Sequence, residues 1–240
     1  MSAVLFSIEN GVATATLNRP ESRNALNLEM CDCLLDFAGE ISRNEDVKLV
    51  LVRANGTVFC AGADLKERQG MSEAQVRERR QKGFAAYAAL EALPMPSVAV
   101  LEGSAVGSGC EIACACDFIV ATPAASFRTP EAIRGTVGAT QRLPRVLGKR
   151  LAKDMMFTGR VLGADEALQE GLVSRLLSPG DLETEIREIT KIILESPQQS
   201  LRLAKRCIDR GIELDPEGAL QTEIEAIEEQ LASGQWMGKK

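Results

Sequence analysis

Residues 97–121, SVAVLEGSAVGSGCEIACACDFIVA, decide how this chain folds. The first five are small or aliphatic throughout, which suits a strand covered on both faces. A glycine-rich turn over residues 103–109 follows, then a short apolar helix over 110–116 and another buried strand over 118–121. Strand, turn, helix and strand make a crossover unit, and in such units ligands sit at the strand's carboxyl end. The turn is not a dinucleotide fingerprint, because its glycines are wrongly spaced and no acidic ribose partner is evident. Nor is there a P-loop: Gly148-Lys149 is followed by Arg150 rather than a magnesium-binding hydroxyl. What the turn offers is backbone open to close approach and free N–H groups at a helix start, where negative charge is favoured. A simple tight turn would use the same residues. Glu111, in the apolar run after the turn, is either a partner of the helix dipole or a buried functional acid. Its apolar flanks favour the second.

Upstream, residues 4–8 and 12–17 alternate around Asn10-Gly11, the pattern of a two-residue hairpin. Asn27 caps a helix to about residue 43, with Met30, Leu34, Phe37 and Ile41 at helical spacing. Residues 47–52 form a further buried strand. The stretch FCAGADLK, residues 59–66, follows it, so a second small-residue loop lies at a strand's carboxyl end. Each loop can give one N–H to a single carbonyl oxygen. Ser72 with Gln75 opens a helix to about residue 93 as a capping box, ended by Pro94 and Pro96.

The C-terminal third reads as helical. Ser196-Pro197 and Asp215-Pro216 each place a capping side chain before a proline at the first helical position. Leu220, Ile224, Ile227 and Leu231 form one apolar stripe, which belongs in a packed core or a subunit interface. The organisation expected is one main α/β domain over residues 1–190 and a helical region over 191–240.

Composition narrows the chemistry. Of 240 residues, 45% are hydrophobic but only 4% aromatic, so the core is expected to be largely aliphatic. Acidic residues number 34 against 28 Lys plus Arg, and a net charge of −6 repels polyanions rather than collecting them. Nucleic acid is therefore not an expected partner. Arg142, Arg145, Lys149 and Arg150 form a local basic cluster, either a pocket for a phosphorylated cofactor or a solvated face. No apolar run approaches the ~20 residues that span a bilayer, and the N-terminus lacks the basic start of a signal peptide. A cytoplasmic location without membrane contact is expected. The seven cysteines read as reduced core residues, and their spacing does not suit a metal. There is no histidine. That excludes Ser-His-Asp and Cys-His catalysis within the chain and leaves proton transfer to carboxylates, Lys, Tyr or Cys.

Several motifs fall in one order: Asn18-Arg19-Pro20 with Asn24-Ala25-Leu26, then Phe59-x-Ala61-Gly62-Ala63-Asp64-Leu65-Lys66, then Gly103-x-Ala105-x-Gly107-Ser108-Gly109-Cys110-Glu111 through Cys116-Asp117. Phe127-x-x-Pro130-Glu131, Thr140-Gln141-Arg142-Leu143 and Ala164-x-x-Ala167-x-x-x-Gly171-Leu172-Val173 continue it. From about residue 12 to 177 the chain resembles the crotonase (enoyl-CoA hydratase/isomerase) superfamily. The resemblance implies a crotonase-like spiral of ββα units with a C-terminal helical trimerisation region, giving a homotrimer or hexamer. It implies Glu111 and Glu131 as catalytic carboxylates and the amides of Ala63 and Ser108 as an oxyanion hole. Substrate and CoA contacts would fall on Arg23, Ala25, Ala61, Ala63, Asp64, Leu65, Lys66 and Ser108. The substrate is an acyl-CoA thioester, with no metal and no cofactor beyond the coenzyme A it carries.

Hydration of a 2-enoyl thioester needs a base on water, an acid for the α-carbon and two donors for the enolate-like oxygen. A 2-enoyl-CoA hydratase is the first expectation. A double-bond isomerase and a non-catalytic acyl-CoA-binding protein are the alternatives. The chain departs from the pattern at Ser108, where glycine is frequent, and at Gly138-Ala139, where the hydratases carry a longer Pro-Gly-x-Gly-Gly stretch. It also stops at residues 236–240, short of the usual basic tail, so Lys239 or Lys240 would have to substitute. Arg128 replaces a small residue before Thr129-Pro130-Glu131 and either meets an acidic acyl group or points to the surface.

Overall fold

The computed structural model describes residues 2–234. Strands β1 (Val4–Glu9) and β2 (Val12–Leu17) pair antiparallel in the register Glu9↔Val12, so only Asn10 and Gly11 turn the chain. Both have positive φ, 50° and 83°, as the twist-matched two-residue turn demands. Helix α1 (Leu28–Ile41) follows, its first turn capped by Asn27, whose side chain accepts from Met30 N at 3.0 Å.

From there the chain repeats one plan three times. Strands β3 (Leu49–Ala54) and β4 (Val58–Cys60) precede α2 (Glu73–Glu91). Strands β5 (Ser97–Leu101) and β6 (Ser104–Val106) precede α3 (Ser108–Cys114). Strands β7 (Phe118–Ala121) and β8 (Ser126–Arg128) precede α4 (Arg142–Thr158), which is interrupted at Gly148. In each repeat the first strand joins one sheet and the second joins another. Strands β9 (Leu162–Gly163), α5 (Ala164–Gln169) and β10 (Arg175–Leu176) close the stack. The six-stranded sheet has the order β1-β2-β3-β5-β7-β10 and the four-stranded sheet β4-β6-β8-β9. Successive ββα turns therefore lie one on the next, with the parallel pairs β3·β5, β5·β7, β4·β6 and β6·β8 as the stacking bonds.

The core lies between the sheets and helices. It is mostly aliphatic, with Phe37, Phe59 and Phe127 as its largest fully buried side chains. On the opposite face of β3, β5 and β7, Leu182, Ile186 and Ile189 of α6 (Leu182–Glu195) pack on Leu49, Leu51, Val98, Val100 and Val120. Burying both faces is what makes these strands read as unbroken aliphatic runs. Helix α6 runs across residue 190, where the sequence divides core from tail. Helices α7 (Gln198–Gly211) and α8 (Pro216–Ala232) form an antiparallel hairpin beyond it.

Two local readings need correction. Helix α3 begins two residues earlier than its apolar run, because Gly107 at φ 51° turns the chain into the helix. Ser196 is not an N-cap: it ends α6 and donates its hydroxyl back to Ile192 O, and Pro197 rather than Ser196 precedes α7. Asp215, by contrast, accepts from Gly218 N at 2.8 Å and caps α8 as its proline spacing predicts. Residues 236–240, including Lys239 and Lys240, lie outside the described residues. No helix among the described residues is long and apolar enough to cross a membrane.

Candidate active site

The two small-residue loops meet. Leu26 N donates to Gly62 O, and Asp64 N donates to Leu26 O, a short parallel bridge that leaves the intervening Ala63 N–H turned the other way. The turn after β6 packs against the end of β4 so tightly that a Cβ on Gly109 would lie 2.5 Å from Cys60 O. Only glycine allows that approach. Ser108 N is the first amide of α3, and Gly107 provides no side-chain cap for it. Neither Ala63 N nor Ser108 N has a hydrogen-bond partner among the described residues, and both residues line one pocket. Serine is unstrained at 108, because that residue is not among those with positive φ. Its side chain lies close enough to the hydroxyl of Tyr87, the chain's only tyrosine, to act on its titration. Burial pushes the Tyr87 phenol up, so it stays neutral.

The same pocket receives both carboxylates. Glu111, on the first turn of α3, is only 6% exposed and pairs with Arg142 Nη1 at 2.8 Å. Arg142 reaches across from α4 and holds Glu91 through Nη2 at 2.5 Å, with its guanidinium 5.9 Å from the Tyr87 ring centroid. Glu131 stands at the end of the β8 loop against Gly107, where a Cβ would collide with its Oε1. Its Oε2 is buried and unpartnered. Burial raises Glu131 above the usual carboxylate range. Its own backbone amide opposes that, the Glu111 charge adds to it, and Arg134 and Arg80 pull the other way. The two carboxyls thus differ in kind: one is fixed by a guanidinium, the other is poised to hold a proton.

The short link Gly138-Ala139 lies directly over this second carboxyl. A Cβ on Gly138 would sit 3.1 Å from Glu131 Cγ, and Ala139 adopts φ 55° to complete so tight a turn. Arg80 of α2 pins the link by donating to Thr136 Oγ1 at 2.9 Å and Val137 O at 3.3 Å.

Of the residues singled out in the sequence, Ala61, Ala63, Leu65, Ser108, Glu111 and Glu131 line this one pocket. Arg23, Ala25, Asp64 and Lys66 do not. The Asp64 carboxylate is occupied, accepting from Arg19 at 3.0 Å and from the amides of Lys66 and Glu67. Burial opposes its charge, but these bonds outweigh burial and lower it. Ala25 gives its carbonyl to Arg19, and Arg23 and Lys66 are exposed beside the first loop. Arg128 donates to Gly159 O at 2.6 Å and is not part of the pocket wall. The basic cluster divides: Arg142 turns inward and Arg145 pairs with Glu213. Tyr87, Phe84, Arg68, Arg80 and Arg134 line the pocket without having been singled out. Tyr87 alone carried a signal, as one phenol on the buried face of a helix. Burial pushes the Cys31 thiol up to about 11 and those of Cys60 and Cys114 up to about 12, so they stay protonated. Among the described residues no His/Cys/Asp/Glu group could hold a metal ion.

Stacked ββα turns with two open amides and two unlike carboxyls around one pocket define an α/β protein built to polarise a carbonyl beside proton donors and acceptors. The family model for enoyl-CoA hydratase/isomerase matches residues 7–236. A short-chain-enoyl-CoA hydratase of Clostridium acetobutylicum is 36% identical over 95% of this chain and 89% of its own length. A crotonyl-CoA hydratase of Syntrophomonas wolfei is 34% identical over 93% and 88%. The crystal structure of an enoyl-CoA hydratase from Bacillus anthracis superposes with a TM-score of 0.91 at 35% identity, covering 94% of this chain and 90% of that one. The chain belongs to the enoyl-CoA hydratase/isomerase family, and its fold is the crotonase fold.

Proposed function

We propose that this protein is a 2-enoyl-CoA hydratase. The observation that carries the reading is the convergence of Glu111, Glu131 and the free Ala63 and Ser108 amides on one pocket. The thioester carbonyl accepts from the two amides, which draws electron density from the double bond. One carboxylate, Glu111, takes a proton from water as the oxygen bonds to the β-carbon. The electron pair moves onto the carbonyl oxygen, and Glu131 delivers a proton to the α-carbon. Arg23, Ala25, Ala61, Leu65 and Lys66 flank the coenzyme end, while Asp64 shapes the loop through Arg19 and its amide contacts rather than meeting the ligand with its carboxylate. No metal or redox cofactor takes part in this scheme.

A double-bond isomerase is the second reading. Arg142's hold on Glu111 favours it, because an isomerase needs one mobile carboxyl and no bound water. Turnover of crotonyl-CoA and of a 3-enoyl-CoA, followed by conjugated-thioester absorbance, separates the two. Loss of absorbance with crotonyl-CoA is expected. A gain with the 3-enoyl ester and no change with crotonyl-CoA would assign isomerisation, and binding without either reaction would assign a non-catalytic acyl-CoA carrier.

The same reading includes a homotrimer or its paired hexamer. Ile208, Ile212, Leu214, Leu220, Ile224 and Ile227 are 40–70% exposed on the α7–α8 hairpin. So many exposed aliphatic side chains on one helical hairpin are ordinarily covered by a partner. Light scattering at micromolar concentration should report three or six chains per particle; a stable monomer would remove this part of the reading.

A further inference from the structure

We propose that the acyl group this site prefers is short and ends in a carboxylate, which Arg68, Arg80 and Arg134 receive at the rim of the pocket. The inference rests on the acyl-CoA reading above and names its substrate class. All three arginines line the pocket that holds Glu111 and Glu131, and all three also line an adjoining recess with Val76, Thr136 and Val137. They come from three elements: the loop after β4, helix α2 and the turn after Glu131. The neighbouring guanidiniums have partners: Arg79 pairs with Glu67 at 2.7 Å, and Arg77 with Glu73 at 2.9 Å. None of the three rim guanidiniums forms an ion pair among the described residues. Arg80 uses one nitrogen on Thr136 and Val137, which fixes the guanidinium in place and leaves its other N–H groups open.

The charge balance makes the rim unusual. The chain as a whole is at −6, yet the carboxyls lining these two adjoining spaces are Glu111 and Glu131, which face the reacting carbons, and Glu73, which is paired with Arg77. Arg134 and Arg80 both act on Glu131, and burial still outweighs them and raises it. With Glu73 held by Arg77 and Glu111 held by Arg142, the three unpaired guanidiniums leave the rim net positive. An aliphatic acyl tail can pack on Val76, Phe84 and Val137 but would desolvate the guanidiniums beside them at a cost. A terminal carboxylate would replace the lost water with charge-assisted hydrogen bonds, and a guanidinium fork fits its geometry. Arg80 and Arg134 share the pocket wall with Glu131 and act on its charge, so the acyl chain that reaches from the reacting carbons to the rim is short. Arg128, the other arginine with such a prospect in the sequence, is committed to Gly159.

Binding of saturated esters tests this without requiring turnover. In calorimetry, glutaryl-CoA and adipyl-CoA should bind about 10–100-fold more tightly than butyryl-CoA and hexanoyl-CoA, the range expected of hydrogen bonds to a charged group. Arg68→Gln at a half-buried position and Arg134→Gln at an exposed one, both outside any ion pair among the described residues, should each shrink that preference about tenfold. Equal affinity for the charged and neutral esters would overturn the proposal. So would variants that weaken both classes alike, because the arginines would then be holding coenzyme phosphates. A carboxylate preference without hydration of glutaconyl-CoA or crotonyl-CoA would sustain this inference and sink the hydratase reading. Hydration of crotonyl-CoA without any preference would do the reverse.

Discussion

Glu131→Gln is expected to lower hydration of crotonyl-CoA by about 10²–10⁴-fold with KM little changed, the usual contribution of a positioned proton donor. Glutamine keeps the length and planarity of the side chain against Gly107 and Gly138 but carries no proton to deliver to the α-carbon. The same substitution should act oppositely on stability. Because burial raises Glu131, the folded carboxyl holds its proton more firmly than the unfolded one. It therefore supports the fold fully at low pH and gives up that support as pH rises through the raised value. Any charge this carboxyl carries, with Oε2 buried and unpartnered, is a cost that glutamine removes. Steady-state kinetics and urea denaturation at pH 7 should show a variant that is slower and no less stable than its parent. A variant that hydrates at near-parental rate would end the two-carboxylate assignment. One that loses both stability and activity would make Glu131 a packing residue.

How much of this was legible in the chain depends on how local the physics is. The β1–β2 hairpin and the caps at Asn27, Ser72 and Asp215 are set within four residues, and their side chains bond as their types predict. The long strands of the larger sheet show as aliphatic runs because both faces are covered. The smaller sheet does not show, since three-residue strands such as Val58–Cys60 and Ser104–Val106 carry no period and exist only through their neighbours. Apolar periodicity begins at Cys110, two residues inside α3, because the helix begins where Gly107 turns the backbone.

The pocket divides in the same way. Glu111, Glu131 and the two loops are ordered motifs, so the resemblance carries them. Arg68, Arg80 and Arg134 are spread over 67 positions and meet only when α2 and the turn after Glu131 fold over the first loop. The motif Thr140-Gln141-Arg142-Leu143 includes Arg142 and not Arg145, one turn along the same helix, but nothing in it says what either guanidinium meets. The difference is that one faces a buried carboxylate and the other faces Glu213 at the surface.

Arg142 supports the remaining large prediction. Glu111 and Arg142 are 7% and 15% exposed in their side chains, so each charge depends on the other far more than a surface pair would. Replacing Arg142 by methionine keeps most of the volume under Tyr87 but leaves Glu111 an uncompensated carboxylate in an apolar helix. Removing one member of a buried pair costs about 3–5 kcal/mol, and that loss is expected in urea denaturation at pH 7. Glu91, half exposed, loses little when the same guanidinium goes. Most of the loss should therefore return in the double variant Arg142→Met/Glu111→Gln, where no buried charge remains. If the loss came from packing over Tyr87 instead, the second substitution would restore nothing. A single variant within about 1 kcal/mol of the parent would show that Glu111 does not rely on Arg142, because neutralising or rehydrating it would then be easy. The cycle measures the coupling directly and does not depend on whether the site hydrates or isomerises. If the coupling is as large as expected, Glu111 is the fixed carboxylate of the pair, and the proton that reaches the α-carbon has to come from Glu131.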